Sequence, residues 1–501
     1  MNLESVKPMI KNIESLIALQ INNGVIDKRD YVYVKNQLFN LLEIEPTEEK
    51  PNPKLIKYPS EVLEPILDCL EDKGLLGGSK VARDLFDAKI MNVFASLPSV
   101  VENKFNTLLK NNNSDATNYL YNYAKSLNYI REDRVANNIV FERASKYGNL
   151  VITINLSKPE KDPKSILLAS KQKTSSYPKC VLCRENEGFA GDFTKDSRDQ
   201  HRLIKFDLLG ENWYFQYSPY TYYNEHAIVF SENHMPMQIE RKTFERLLAL
   251  TDYFNGYFFG SNADLPIVGG SILSHEHYQG GKYVFPIENV HAIKTFKYDN
   301  INVEILNWPL SAIRLRSNDK NLIVDYANKI FDAWNNYFNL ELGIKAYTNN
   351  TKHHTITPIA RKKANLYELD LLLRDNQTSD KYPLGIFHPH KDKWHIKKEN
   401  IGLIEAIGLA VLPGRLKDEF EELKRYLLGE IDVNETISKH IAWANTFKSK
   451  VTKENIDELI EIEVTKVFEK ILEDCGVFKL NEKGINAFIK FIEDTLKWNN
   501  V

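Results

Sequence analysis

The residues best suited to chemistry lie in one run, residues 269–281, which reads Gly-Gly-Ser-Ile-Leu-Ser-His-Glu-His-Tyr-Gln-Gly-Gly. Its core is His275-x-His277-x-Gln279. On an extended backbone this two-residue spacing sends all three side chains from one face, and Glu276 and Tyr278 from the other. Such a row suits phosphate chemistry. A neutral imidazole near its ordinary pKa attacks phosphorus at pH 7 and leaves again readily, while a glutamine amide donates to a phosphate oxygen without the repulsion of a carboxylate. Covalent catalysis by histidine is therefore expected; the competing reading is a row of polar strand residues satisfied by their neighbours. The flanking glycines, poor helix formers, are read as letting the backbone approach a ligand, and the aromatic, β-branched run 282–287 supports the strand.

A second constellation is Cys180-Val181-Leu182-Cys183. Two thiolates at this spacing grip one metal ion, but a tetrahedral zinc site needs two more ligands, and the chain has no second Cys-x-x-Cys. The remaining ligands must come from distant histidines, with His234 and His275 as candidates. A redox or structural thiol pair is the alternative. Between the two constellations, residues 211–226 read as a strand entering an aromatic loop, whose rings could stack on a base and whose Gln216, Asn224 and Glu225 could bond a sugar.

These groups need elements to hold them. The region 1–140 is helical in pattern: Ile10, Ile13, Leu16 and Ile17 recur at helical spacing, as do Tyr31, Val34, Leu38 and Leu42. No histidine occurs there, because all twelve lie between His201 and His440, so scaffolding or subunit contact is the expected role. β-Branched alternation begins at residues 149–156, and a charged turn, read as a solvated loop, follows at 158–164. His226 opens a strand through Phe230, and Phe244, Leu247, Leu248 and Thr251 mark a helix. Strand, strand, helix and then the His-x-His-x-Gln strand is the resulting order.

At 501 residues, 43% apolar and 27% charged, the chain can build two or three cores. Its formal net charge of −3 supplies no basic field for nucleic acid or an acidic membrane. No signal peptide or membrane-spanning run is present, so a soluble, cytoplasmic protein with reduced thiols is expected, with Cys69 and Cys475 free.

The order of elements, together with the phrases at 177–188, 262–270 and 385–390, resembles the galactose-1-phosphate uridylyltransferase family of the histidine-triad superfamily, particularly the form found in Gram-positive bacteria. The likeness spans roughly residues 150–416 and extends over the chain. It implies that His277 attacks the α-phosphorus of UDP-glucose to form a uridylyl-histidine, which galactose 1-phosphate discharges as UDP-galactose. It also implies Gln279 on the transferring phosphoryl, a metal held by Cys180, Cys183, His234 and His275, and a homodimer. Zinc is the metal the donor set suits, with iron or no metal as alternatives. The better-known branch reads Gly-Cys-Ser-Asn-Pro ahead of its first histidine, where this chain has Ser271, Ile272, Leu273 and Ser274 after glycine. Ser271 or Ser274 would then replace the polar groups that hold the β-phosphate.

The second half reads as a degenerate copy. Strands are expected around Trp308-Pro309, a helix over 322–338, and residues 354–358 stand in the place of the triad strand without its glutamine. His388, His390 and His395, close to Lys391, Lys393, Lys397 and Lys398, suit a sugar phosphate or second metal, or an ordinary surface loop. A helix is expected over 399–412, and helices again to the end. The fold expected is α+β: a helical region (1–140), a histidine-triad-like antiparallel half with the active site (141–290), a degenerate half (291–420) and a helical region (421–501). Two other functions share these features. A histidine-triad phosphorylase or hydrolase would pass the nucleotidyl group to phosphate or water, and a zinc-stabilised nucleotide- or nucleic-acid-binding module would perform no reaction.

Overall fold

The computed structural model describes residues 3–157, 168–169, 175–270, 272–298 and 300–497. The charged turn at 158–164 and Ser271 lie outside them. In chain order the helices α1 (Leu3–Asn22), α2 (Tyr31–Leu41), α3 (Ser60–Asp72), α4 (Lys80–Asn92), α5 (Pro98–Asn111) and α6 (Asn113–Ser126) come first. Strands β1 (Ile139–Ser145), β2 (Gly148–Asn155), β3 (Ile204–Leu208), β4 (Glu211–Tyr217) and β5 (Ala227–Ser231) follow, then helix α7 (Arg241–Tyr253), β6 (Phe258–Gly260) and β7 (His277–Gly281). The second half runs β8 (Ala292–Tyr298), β9 (Ile301–Leu306), β10 (Ala312–Ser317), α8 (Lys320–Asn335), β11 (His354–Lys363), β12 (Leu366–Asp375) and β13 (Leu409–Pro413). Helices α9 (Leu416–Leu427), α10 (Ile456–Cys475) and α11 (Glu482–Lys497) close the chain.

Two compact units result. The first comprises Met1–Asn137, Ser157–Thr221 and Ala227–His234. Its helices form where the apolar spacing calls for them: Ile10, Ile13, Leu16 and Ile17 of α1 are buried, as are Val62, Leu63, Ile66, Leu67 and Leu70 of α3. Its strands pair antiparallel, β3 with β4 and β4 with β5.

The second unit comprises Asn138–Leu156, Tyr222–His226 and Met235–Val501. Within it β6 pairs with β7 and with β11, and β11, β12, β10, β9 and β8 follow as antiparallel neighbours. The fold is α+β, with mainly antiparallel sheets and helices in the first and last parts of the chain. The two halves repeat one order: hairpin, strand, helix, two strands. This places β11 opposite β6 and β12 opposite β7, which corrects the position of the degenerate triad strand. His354 stands on the counterpart of β6, where Asp375 and Trp334 satisfy its ring. The true counterpart, β12, carries Glu368 and Asp370, bonded to Arg316, Arg314 and Arg361. Sequence spacing missed this because the short pairs Phe338–Asn339, Ile344–Lys345, Tyr347–Thr348 and Thr351–Lys352 lengthen the connection after α8.

A second correction concerns residues 399–412. Only Leu403–Ala406 is helical there, and Leu409–Pro413 is a strand parallel to β2, in register Leu409 with Val151 and Leu412 with Ile154. A short apolar run does not distinguish a buried strand from a helix, and the partner that decides it stands far back in the chain. Gly408 makes the break, at φ +108°, a conformation closed to most side chains. No described helix is long and apolar enough to cross a membrane.

Candidate active site

Strand β7 begins at His277, two residues later than an extended His-x-His-x-Gln requires, and His275 lies in a bend before it. The bend is fixed by Glu276. Its backbone N–H donates to the Met235 carbonyl at 2.7 Å, and its carboxylate accepts from the Gln238 N–H at 3.0 Å and the Tyr278 hydroxyl at 2.9 Å. Burial of both His275 and Glu276 replaces the expected one-sided polar row with a packed entry to the strand.

His277 is 5% exposed. Its Nδ1 lies 2.8 Å from the carbonyl oxygen of His275, an acceptor, so Nδ1 carries the proton and donates. The lone pair is thereby left on Nε2. Burial lowers the pKa to about 4, which keeps the ring neutral at pH 7. A neutral imidazole with one nitrogen held as donor is a nucleophile with a defined attacking atom.

Gln279 follows on the same face of β7, half-buried, with its Oε1 3.3 Å from Nε2 of His226. His226 is the residue that sequence reasoning missed as part of the site. Its position at the head of a strand was legible, but a partner on another strand, distant along the chain, was not.

Two of the flanking glycines, Gly280 and Gly281, lie against the protein's own groups. A Cβ on Gly280 would fall 2.4 Å from the Phe259 ring, and one on Gly281, at φ +154°, would fall 2.7 Å from the Glu225 carbonyl oxygen. Close packing on β6 and on the loop 222–226 therefore demands glycine at both positions.

In the first unit, Cys180 and Cys183 form a tight turn in which the Cys183 N–H donates to the Cys180 carbonyl. Their sulfurs are 3.6 Å apart, and Nδ1 of His234 is 3.2 Å from Cys183 Sγ. Two Zn–S bonds of about 2.3 Å at a tetrahedral angle put the sulfurs about 3.8 Å apart, so this donor set fits zinc. The Leu182 N–H donates to Cys180 Sγ at 3.4 Å, and the Asn186 amide donates to the carbonyls of Cys180 and Cys183. Cys183 and His275 are buried, and Cys180 and His234 are half-buried.

The expected sugar contacts divide. Asn224 and Ser274 are exposed. Gln216 is buried, its Oε1 accepting at 2.7 Å from His201, which stacks on Tyr129 at 4.0 Å. Glu225 is buried, at φ +53°, and its carboxylate accepts from the Tyr257 hydroxyl. Ile272 and Leu273 are half-buried, and the Leu273 carbonyl accepts from the Met237 N–H. His388 bonds Asn400; His390 contacts Asp474 and the Ile386 carbonyl and stacks on Tyr382; His395 lies against His440. None of the three belongs to a group of potential metal ligands among the described residues.

His201 carries a pH consequence. Burial first, and Arg198 second, lower its pKa to about 3 from 6.5, so the native state holds it neutral while the unfolded chain protonates near 6.5. Its stability contribution is complete above pH 6.5 and is lost as pH falls toward 3. Between pH 6 and 4 the unfolded state binds one more proton at this site, which adds a slope of about 1.4 kcal/mol per pH unit. In His201→Phe, urea titrations across that interval should show a slope smaller by about that amount. An unchanged slope would mean that His201 is not the group held neutral.

Among known families, "Galactose-1-phosphate uridyl transferase, N-terminal domain" matches residues 61–236, and its C-terminal domain matches 250–445. The chain is 46% identical over 496 residues to a galactose-1-phosphate uridylyltransferase of Fusobacterium nucleatum, covering 96% of this chain and 97% of that one. It is 46% identical over 492 residues to that of Clostridium acetobutylicum, covering 96% and 98%. Among solved structures it is similar to yeast Ap4A phosphorylase, at 12% identity and TM-score 0.35, over 70% of this chain and 93% of that one.

Proposed function

From the premise that the chain belongs to the galactose-1-phosphate uridylyltransferase family, we propose how its residues carry the reaction. The activity is uridylyl transfer in galactose metabolism: UDP-glucose and galactose 1-phosphate give UDP-galactose and glucose 1-phosphate. The observation that carries the mechanism is the bond from His277 Nδ1 to the His275 carbonyl. It leaves Nε2 to attack the α-phosphorus of UDP-glucose. The P–N bond forms as the bond to the glucose 1-phosphate oxygen breaks, and the departing phosphate carries away the negative charge. The imidazole gains positive charge, which the Nδ1–H bond to a carbonyl stabilises. A phosphate oxygen of galactose 1-phosphate then attacks the same phosphorus, the P–N bond breaks, and neutral His277 returns.

Gln279 donates its amide N–H to the non-bridging oxygens of the transferring phosphoryl, a contact that strengthens as charge grows in the transition state. Asn224, Ser271 and Ser274 are the substrate contacts in this reading. Gln216 and Glu225 remain sugar contacts in this reading, held in place by their bonds to His201 and Tyr257.

Cys180, Cys183, His234 and His275 would hold zinc. Bound there, the metal would supply structure. The four-part division at residues 140, 290 and 420, a homodimeric state and a cytoplasmic location belong to the same proposal, which sedimentation of the purified protein and cell fractionation would test.

The choice of acceptor separates this reading from a histidine-triad phosphorylase or hydrolase. With radiolabelled UDP-glucose, label should pass to galactose 1-phosphate at least about 100-fold faster than to inorganic phosphate or water. Equal or faster transfer to phosphate or water would overturn the transferase assignment.

A further inference from the structure

The loop 222–226 clamps β7 at one point. The Tyr223 hydroxyl donates to the Gly280 carbonyl at 3.0 Å, and the Glu225 carbonyl closes on Gly281. His226 fills the space between, its ring 4.5 Å from that of Tyr223 and 5.4 Å from that of Tyr222.

The two nitrogens of His226 have unequal surroundings. Nε2 faces Oε1 of Gln279 at 3.3 Å, whereas Nδ1 is buried with no hydrogen-bond partner. Two arrangements are open to a neutral ring. With the proton on Nε2, the imidazole donates to the Gln279 carbonyl oxygen, and the buried Nδ1 is left with only a lone pair. With the proton on Nδ1, the amide must turn over to donate to Nε2, and a buried N–H is stranded. Orphaned buried donors are rarer and more costly than orphaned acceptors, so the first arrangement prevails. In it the Gln279 amide nitrogen, with both of its N–H groups, is turned away from His226.

We infer that His226 is a positioning residue that fixes the orientation of the Gln279 amide, presenting its N–H donors to the transferring phosphoryl group. The inference rests on Gln279 acting as donor in uridylyl transfer. Without the His226 N–H, the amide is free to turn its oxygen toward the phosphate, where lone pairs repel. Binding of UDP-glucose, spread over the whole nucleotide, would change little, and the chemical step would slow.

The test is the first-turnover release of glucose 1-phosphate and the accompanying uridylyl-enzyme mass. It is run on wild type, His226→Phe, His226→Gln, Gln279→Met and the double variant His226→Phe with Gln279→Met. Phenylalanine keeps a ring against Tyr222 and Tyr223 but loses the donor, and glutamine restores an N–H. His226→Phe should slow the first turnover about 10- to 100-fold, with KM for UDP-glucose within about 3-fold of wild type. His226→Gln should recover most of that rate, and His226→Phe should cost nothing more once Gln279 is methionine. A His226→Phe rate within about 2-fold of wild type would overturn the inference while the wild-type adduct leaves uridylyl transfer standing. So would a loss that persists in full in the Gln279→Met background. Absence of an adduct in the wild type itself would remove the covalent mechanism, and this inference with it.

Discussion

His277→Asn should lower kcat for UDP-galactose formation by about 10⁴-fold or more, because it removes the nitrogen proposed to form the covalent intermediate. Asparagine is chosen because its amide can still donate to the His275 carbonyl, which His277 Nδ1 reaches at 2.8 Å, so the entry to β7 is retained. Affinity for UDP-glucose, measured by calorimetry, should stay within about 3-fold, since the nucleotide's other contacts remain. The split between binding and turnover is the diagnostic. Turnover within about 10-fold of wild type would show that another group attacks phosphorus.

The second large effect concerns the thiol turn. Protein purified with zinc supplied should carry about one metal per chain, and Cys183→Ser should reduce this below about a tenth, because a serine hydroxyl is a poor zinc ligand. Cys183 is buried, and its sulfur lies 3.6 Å from Cys180 Sγ and 3.2 Å from His234 Nδ1. Losing the metal would remove the ion that this donor set is proposed to hold. A destabilisation of about 3 kcal/mol, at about 2–4 °C per kcal/mol, lowers the thermal midpoint by on the order of 10 °C. Elemental analysis and calorimetry read the two effects. A zinc-supplied wild type without bound metal would refute the site, and so would Cys183→Ser with undiminished metal content.

Much of this site was legible because its chemistry is written in local spacing. His275-x-His277-x-Gln279 fits a phosphate site, and Cys180-x-x-Cys183 fits a pair of metal ligands that require distant partners. His234 is one of the two histidines expected to complete that set, and its Nδ1 lies beside Cys183. What the sequence hid was pairing. Gln216, near the end of β4, and Glu225, in the loop after it, are polar residues in an aromatic stretch, a pattern that fits a sugar site as well as buried support. The structure adds the partners that hold them, His201 for Gln216 and Tyr257 for Glu225.

The packing of the glycines around the motif is hidden for the same reason. Gly280 is small because Phe259 crosses beneath it, and no local rule says whether a glycine makes room for a ligand or for a ring. The strand at Leu409–Pro413 was mistaken for a helix because its partner β2 belongs to a much earlier part of the chain. Its apolar residues satisfy either period. Both halves of the repeat were visible from the order of their elements, yet the register of His354 was not, since short strand pairs inserted after α8 shift the counting.

The central claim is that uridylyl transfer proceeds through a covalent bond to His277, and intact-protein mass spectrometry tests it most directly. Wild-type enzyme mixed with UDP-glucose alone should gain the mass of one uridylyl group, localised by peptide mapping to His277, and should lose it when galactose 1-phosphate is added. His277→Asn should gain nothing under the same conditions. A wild type that turns over substrate without ever gaining that mass, or an adduct mapped to another residue, would contradict the account.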